Sequence, residues 1–229
     1  MLAVAGLSLL AAALLGARLF SSDEGEALLV RAGYLTGGEN VALVSSTITP
    51  PDEAPRVGVV AGHAGFDPGA ACPDGLTEAS VNMTVAQEVY DLLSGRGYQV
   101  DLLEEYDDRL TGYQADALVS VHADSCDVPD ATGFKVARVT DSAIPDAEDR
   151  LVKCIYQQYE LATGASRHPG SITDNMTNYH AFREIHSFTP GAIIETGFLL
   201  RDRDLLTNRH RLVARGVAAG VVCFVEGVE

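Results

Sequence analysis

Four residues able to bind a metal ion or move a proton recur where apolar or helical stretches begin or end: His63, Glu78, His122 and Glu195. His63 follows Val57-Gly-Val-Val-Ala61, His122 closes the run from Ala115, and Glu195 lies inside Ala192-Ile-Ile-Glu-Thr-Gly-Phe198. Short apolar runs of this kind form strands buried on both faces, so three strands end in a candidate functional group. Two imidazoles and one carboxylate with an open fourth position suit catalytic zinc, because neutral imidazoles leave the ion charge enough to acidify a bound water. A second, unligated carboxylate is then needed as general base, and Glu195 fits that role. Each residue alone has a plainer explanation. A histidine after glycine is more often a turn or capping residue, and Glu78 in a first helical turn can simply complement the helix dipole. Glu195 is harder to explain that way, because a carboxylate next to two isoleucines is costly to bury unless a metal, hydrogen bonds or a cleft receives it.

The elements that must position these groups follow from pattern. Gly62, Gly65 and Gly69 permit left-handed backbone and Pro68 stiffens the turn, which holds His63 in an open loop after the first strand. Val81, Val85, Val89 and Leu92 mark one face of a helix from Thr77 to Ser94, with Thr77 as N-cap and Gly95 or Gly97 at its end. Tyr98 to Leu103 and Ala115 to His122 read as the second and third strands. Thr132 to Val139 alternates like a strand with one wetter face near a sheet edge. A helix runs from Pro145 through Leu161, closed by Gly164. A polar loop follows over Ala165 to Pro190, and long loops in compact domains tend to be functional. After the Glu195 strand, Leu205 to Val225 reads as a closing amphipathic helix. The alternation predicts an α/β fold: a single domain with a mostly parallel, open twisted sheet flanked by helices, its active site at the carboxyl edge of the strands.

The 16 Lys and Arg against 32 Asp and Glu give a net charge of −16, which argues against nucleic acid or an anionic membrane surface as partner. Residues 1–20, apolar from Met1 to Ala17 before Arg18, read as a signal peptide or an N-terminal membrane anchor. Either places the protein outside the cytoplasm, in periplasm, cell wall or medium, with membrane attachment through residues 1–20 in the second case. Residues 21–55, ending in Thr-Pro-Pro-Asp-Glu-Ala-Pro, read as a spacer with a strand-like run at Asn40 to Thr49, and 56–229 as the catalytic domain. Cys72, Cys126, Cys154 and Cys223 allow up to two disulfides in an exported protein. Cys154 and Cys223 read equally well as small buried hydrophobes on helices.

The segments Gly62-His-Ala-Gly-Phe-Asp-Pro-Gly-Ala70, Glu78-Ala-Ser-Val-Asn82, Ser120-Val-His-Ala-Asp124 and Glu195-Thr-Gly-Phe198 together resemble the zinc-dependent N-acetylmuramoyl-L-alanine amidases, from about Arg56 to Gly227. The resemblance implies zinc held by His63, Glu78 and His122, with Glu195 activating the water and assisting the leaving amine. It also implies peptidoglycan as the partner, cut at the amide between N-acetylmuramic acid and L-alanine. The chain departs from the family at Ala64, at Ala79, and after Phe198. The stretch from Glu104 to Gln114 is shorter than usual in the family, so the cleft wall on that side should differ. Tyr179-His180-Ala-Phe182 is a candidate for lining the cleft. If His63 and His122 bind one ion, the loops after them converge, and a Cys72–Cys126 disulfide follows. Two other readings are an exported zinc peptidase acting on another amide of the stem peptide, and a non-catalytic wall-binding module. The module has no need of Glu195.

Overall fold

The computed structural model describes residues 54–228. The readings of residues 1–20 and of the Asn40 to Thr49 run lie outside the described residues.

The apolar runs form five strands: β1 (Arg56–Ala61), β2 (Gln99–Glu104), β3 (Ala117–Asp124), β4 (Lys135–Ala137) and β5 (Gly191–Phe198). They lie in the order β2-β1-β3-β5-β4, parallel except for β4, which pairs antiparallel with β5. This is the expected single α/β domain, and β4 is at an edge as its alternation suggested. Its expected wetter face is absent, because all three β4 residues are buried. Helix α2 (Pro145–Thr163) covers one side, and Lys135 on the other turns under the long loop to reach Ser171.

The pleat divides the core. Val57, Val59, Val119, Val121 and Ile194 face α1 (Glu78–Gly95), α2 and α6 (His210–Glu226) in one large cluster. Val60, Leu118 and Ile193 face the opposite way, into a smaller cluster with Met176, Tyr179, Phe182 and Ile185. Those last residues come from the long loop, which folds as a 3-10 turn at Pro169–Ser171, α3 (Asp174–Thr177) and α4 (Ala181–Glu184). One face of the sheet is therefore covered by long helices and the other by an irregular strap.

Local signals account for the helix ends. The Thr77 hydroxyl accepts from Ser80 N, Pro145 opens α2, and Gly164 closes it in the left-handed region. The expected closing helix is divided into α5 (Arg203–Thr207) and α6, the backbone leaving the helical region at Arg209. Helices α2 and α6 are cross-linked by a Cys154–Cys223 disulfide, so that pair is not simply two buried thiols. Gly220 lets the backbones meet there: a Cβ would come within 2.7 Å of Ile155 Cα. Among the described residues no helix is long and apolar enough to cross a membrane.

Candidate metal centre

The register that aligns the strands also aligns the chemistry. Ala61 lies beside Glu104 and Val121, and His122 lies beside Glu195, so four neighbouring strands end at one edge. His122 and Glu195 are on the sheet face that the long loop covers. Beyond β1 the chain turns sharply, and His63 adopts φ 63°, the one left-handed non-glycine among the described residues. Few residues accept this conformation without local support. Support is present: His63 N donates to Glu105 Oε2 at 2.6 Å, and the His63 carbonyl accepts from Phe66 N and Asp67 N. Gly62 is required by a close approach, since any Cβ there would fall inside the His122 imidazole.

Three of the predicted residues converge. His63 Nε2 is 3.3 Å from Glu78 Oε2 and His122 Nδ1 is 3.1 Å from Glu78 Oε1. One donor atom from each of His63, Glu78 and His122 lies within 4.8 Å of the others. Glu78 reaches the centre because α1 starts directly against the turn: Ala70 N and Ala123 N donate to its two oxygens, and Asn82 Nδ2 to Oε1. Its position is thus more than a complement to the helix dipole. His63 Nδ1 is held by Asp67 Oδ1 at 2.6 Å, and Asp67 in turn accepts from Gly69 N. A carboxylate behind a ligating histidine fixes its tautomer and ring orientation.

Electrostatics match the geometry. Burial alone would raise the Glu78 carboxyl, but the hydrogen bonds with His122 and His63 outweigh it and hold the group well below the usual carboxylate range. Its hydrogen bond with Glu78 lifts His63 to about 9. Glu195 moves the other way. Burial pushes it up to about 7, His122 opposes this, and Glu78 and Asp124 add to it. Its Oε2 is buried with no hydrogen-bond partner among the described residues. Two imidazoles and an ionised carboxylate can hold a borderline dication, and the neighbouring carboxyl, poised near neutrality, can take and return a proton.

A cleft of about 520 Å³ opens over these groups, lined also by Tyr106, Lys135, Tyr179 and His180. Tyr179 and His180 are where the sequence suggested, whereas Phe182 is buried in the core beneath. The ring of Tyr179 meets His122 edge-on at 5.4 Å. His168 hydrogen-bonds Ser171, and His210 sits at the start of α6 against Thr207 and Glu88, both away from the metal cluster. The short stretch after β2 folds as a 3-10 turn at Asp108–Leu110, and Glu105 and Tyr106, just before that turn, line the cleft. Sequence reasoning missed Glu105, because Glu104-Glu105-Tyr-Asp-Asp reads as a solvated acidic turn. The available signal was positional: Glu105 directly follows the strand that neighbours β1. Lys135 was missed as well. Its ammonium is buried, donating to Asp124 at 2.5 Å and to Ser171 O and Oγ. The loops after β1 and β3 are joined by the expected Cys72–Cys126 disulfide.

The family model described as N-acetylmuramoyl-L-alanine amidase matches residues 57–223, nearly the whole described domain. The chain belongs to the N-acetylmuramoyl-L-alanine amidase family. A curated relative, N-acetylmuramoyl-L-alanine amidase AmiC of Neisseria meningitidis serogroup B, is 36% identical over 84 residues. That match takes in 33% of this chain, which spans only 20% of the relative's length. Among solved structures, the CwlD amidase of Clostridioides difficile, in complex with the GerS lipoprotein, superimposes with a TM-score of 0.62 at 19% identity, covering 76% of this chain and 99% of that one. The amidase Ami1 of Mycobacterium smegmatis gives 0.63 at 17%, covering 76% and 97%. At these identities the structural likenesses speak for the amidase fold alone.

Proposed function

We propose that this amidase-family domain is a zinc-dependent N-acetylmuramoyl-L-alanine amidase, hydrolysing the amide between N-acetylmuramic acid and L-alanine in peptidoglycan. The observation that carries the reading is the convergence of His63, Glu78 and His122 beside a buried, unpartnered Glu195 oxygen. The donor set fits zinc: two nitrogens and one oxygen, held from behind by Asp67, Asn82 and two backbone amides. Zinc, when bound, supplies Lewis-acid polarisation of the amide carbonyl and acidification of water.

The chain's own groups do the rest. His63 and His122 would contribute nitrogens made neutral by release of their protons on metal binding, and Glu78 the single compensating charge. Glu195 Oε2 accepts the proton of the attacking water and delivers it to the departing L-alanine nitrogen, which needs a carboxyl that is neither permanently ionised nor permanently protonated. Its lifted pKa supports that role. Tyr179 and His180 shape the wall that confines the substrate.

The domain acts outside the cytoplasm, on the wall itself. Two disulfides among the described residues support export, since such bonds persist in oxidising compartments. The net charge of −16 leaves affinity for the wall to the cleft or to a protein partner rather than to anionic wall polymers. The test is digestion of purified peptidoglycan, with new amino termini identified by labelling, with and without chelator. New termini on L-alanine, abolished by chelation and restored by zinc, are expected. Termini at another stem-peptide residue would make the protein a peptidase, and no release in any metal would refute the reading.

A further inference from the structure

We propose that Glu105 is a positioning residue for the metal centre, tying the turn that carries His63 to the wall of the substrate cleft while its charge stands close to the His122 ring. The inference rests on the zinc reading above, and it concerns a carboxylate that the hydrolytic steps do not use.

Glu105 follows β2 directly and is only 5% exposed. A buried carboxylate is costly unless its oxygens are well partnered, and those of Glu105 are. Oε2 accepts the His63 backbone N–H at 2.6 Å, the bond that secures the left-handed turn carrying the first ligand. The same oxygen lies 3.8 Å from His122 Nε2, the ring nitrogen left over once Nδ1 faces Glu78. Among the described residues that nitrogen is buried without a hydrogen-bond partner, and Glu105 is the carboxylate standing nearest to it. Asp67 stands behind His63 in direct hydrogen-bond contact at 2.6 Å, whereas Glu105 faces His122 across a longer gap that leaves no hydrogen bond. A ligating histidine almost always directs its second nitrogen to such a group, and loss of the group typically weakens metal binding or activity by about 10–100-fold.

The other oxygen faces the cleft. Oε1 pairs with His180 Nε2 at 3.0 Å, while Nδ1 of the same ring meets Glu184 at 2.9 Å. His180 stacks on Tyr106 with ring centroids 4.1 Å apart, and Tyr106 meets Phe66 edge-on at 4.6 Å. Tyr106 and Phe66 remain 53% and 64% exposed, so they present an open aromatic ledge. One carboxylate thus couples the geometry of the metal ligands to that of the ledge. Glutamine is nearly isosteric with glutamate, but it has one acceptor oxygen where Glu105 uses two. Its amide nitrogen donates rather than accepts, so one of the two bonds is lost whenever His180 Nε2 carries a proton, and the charge is lost in every case.

The experiment compares wild type, E105Q and E105D for zinc affinity by competition with a chromogenic chelator, and for kcat and KM on soluble muropeptides. Thermal unfolding identifies the folded variants. E105D keeps the buried charge but is one methylene too short to hold both His63 N and His180, so it keeps the test open if E105Q does not fold. The expected result is zinc affinity lower by about 10–100-fold in a folded variant, with KM raised at saturating zinc because His180 and its ledge are released. Affinity within threefold of wild type, with KM unchanged, would overturn the proposal. The zinc reading itself fails in a different way, through a wild-type protein that binds no zinc stoichiometrically.

Discussion

The two faces of the sheet have different tasks. On one, Val57, Val119, Val121 and Ile194 pack beneath three long helices, two of them joined by the Cys154–Cys223 disulfide. On the other, Ser120, His122, Ile193 and Glu195 lie under a strap of single helical turns and a cleft. Alternate residues of the same strands serve both faces, so Val121 and His122 differ by one position along the chain but belong to different environments. The contrast teaches that the fold's stability and its chemistry are separable. Long helices bury a large apolar area, while an active site needs polar groups, an opening and room for substrate.

The contrast can be broken, and the largest effect is expected at Glu195. E195Q should lower kcat by about 10²–10⁴-fold, the usual worth of a general acid–base group, with zinc stoichiometry and melting temperature unchanged. Retained turnover would move the base elsewhere. Next in size is the covered face: replacing Cys154 and Cys223 together by serine should cost about 2–4 kcal/mol in denaturant unfolding and leave kcat unaltered. A matching fall in kcat would show that the faces are not independent. G62A comes third. The added methyl collides with the His122 ring, which should cost about 1–3 kcal/mol and, unlike the cysteine pair, also weaken zinc binding measured by dialysis.

A pH profile sharpens the comparison without mutation. The raised pKa of Glu195 means that it holds its proton to higher pH than an ordinary carboxyl, so the base form fills and kcat/KM climbs as pH rises. A bound dication pulls the value back down. The acidic limb should therefore fall between the ordinary 4.5 and about 7, and a limb below 4.5 would detach the rate from Glu195. The smallest effect is expected for Y179F, which removes the partner of the Ser120 hydroxyl beneath the cleft and should cost about 0.5–1.5 kcal/mol by thermal denaturation.

Legibility in the sequence followed the same division. Strands and long helices declare themselves through periodicity, and their ends through Thr77, Pro145 and Gly164. His63, Glu78, His122 and Glu195 were visible because they interrupt those patterns at equivalent edges. The strap was not legible: Met176, Tyr179 and Phe182 are apolar residues spaced by single turns within polar sequence, too short a run for any period to show. Glu105 was hidden for another reason. Its neighbours Glu104 and Asp108 are the same chemical type and face solvent, and only the register of β2 against β1 separates it from them. Lys135 depended on tertiary pairing with Asp124 and Ser171, which no local pattern encodes.

The strand register has one more consequence, a metrical one. Neighbouring strands in a sheet stand about 4.8 Å apart, a distance fixed by the peptide hydrogen bond rather than by any side chain. His122 on β3 and Glu195 on β5 are direct partners across one such step, and His63 leaves β1 one step to the other side. The backbone therefore acts as a ruler: substitution around the centre can retune its acidity, while the span from His122 to Glu195 stays the same.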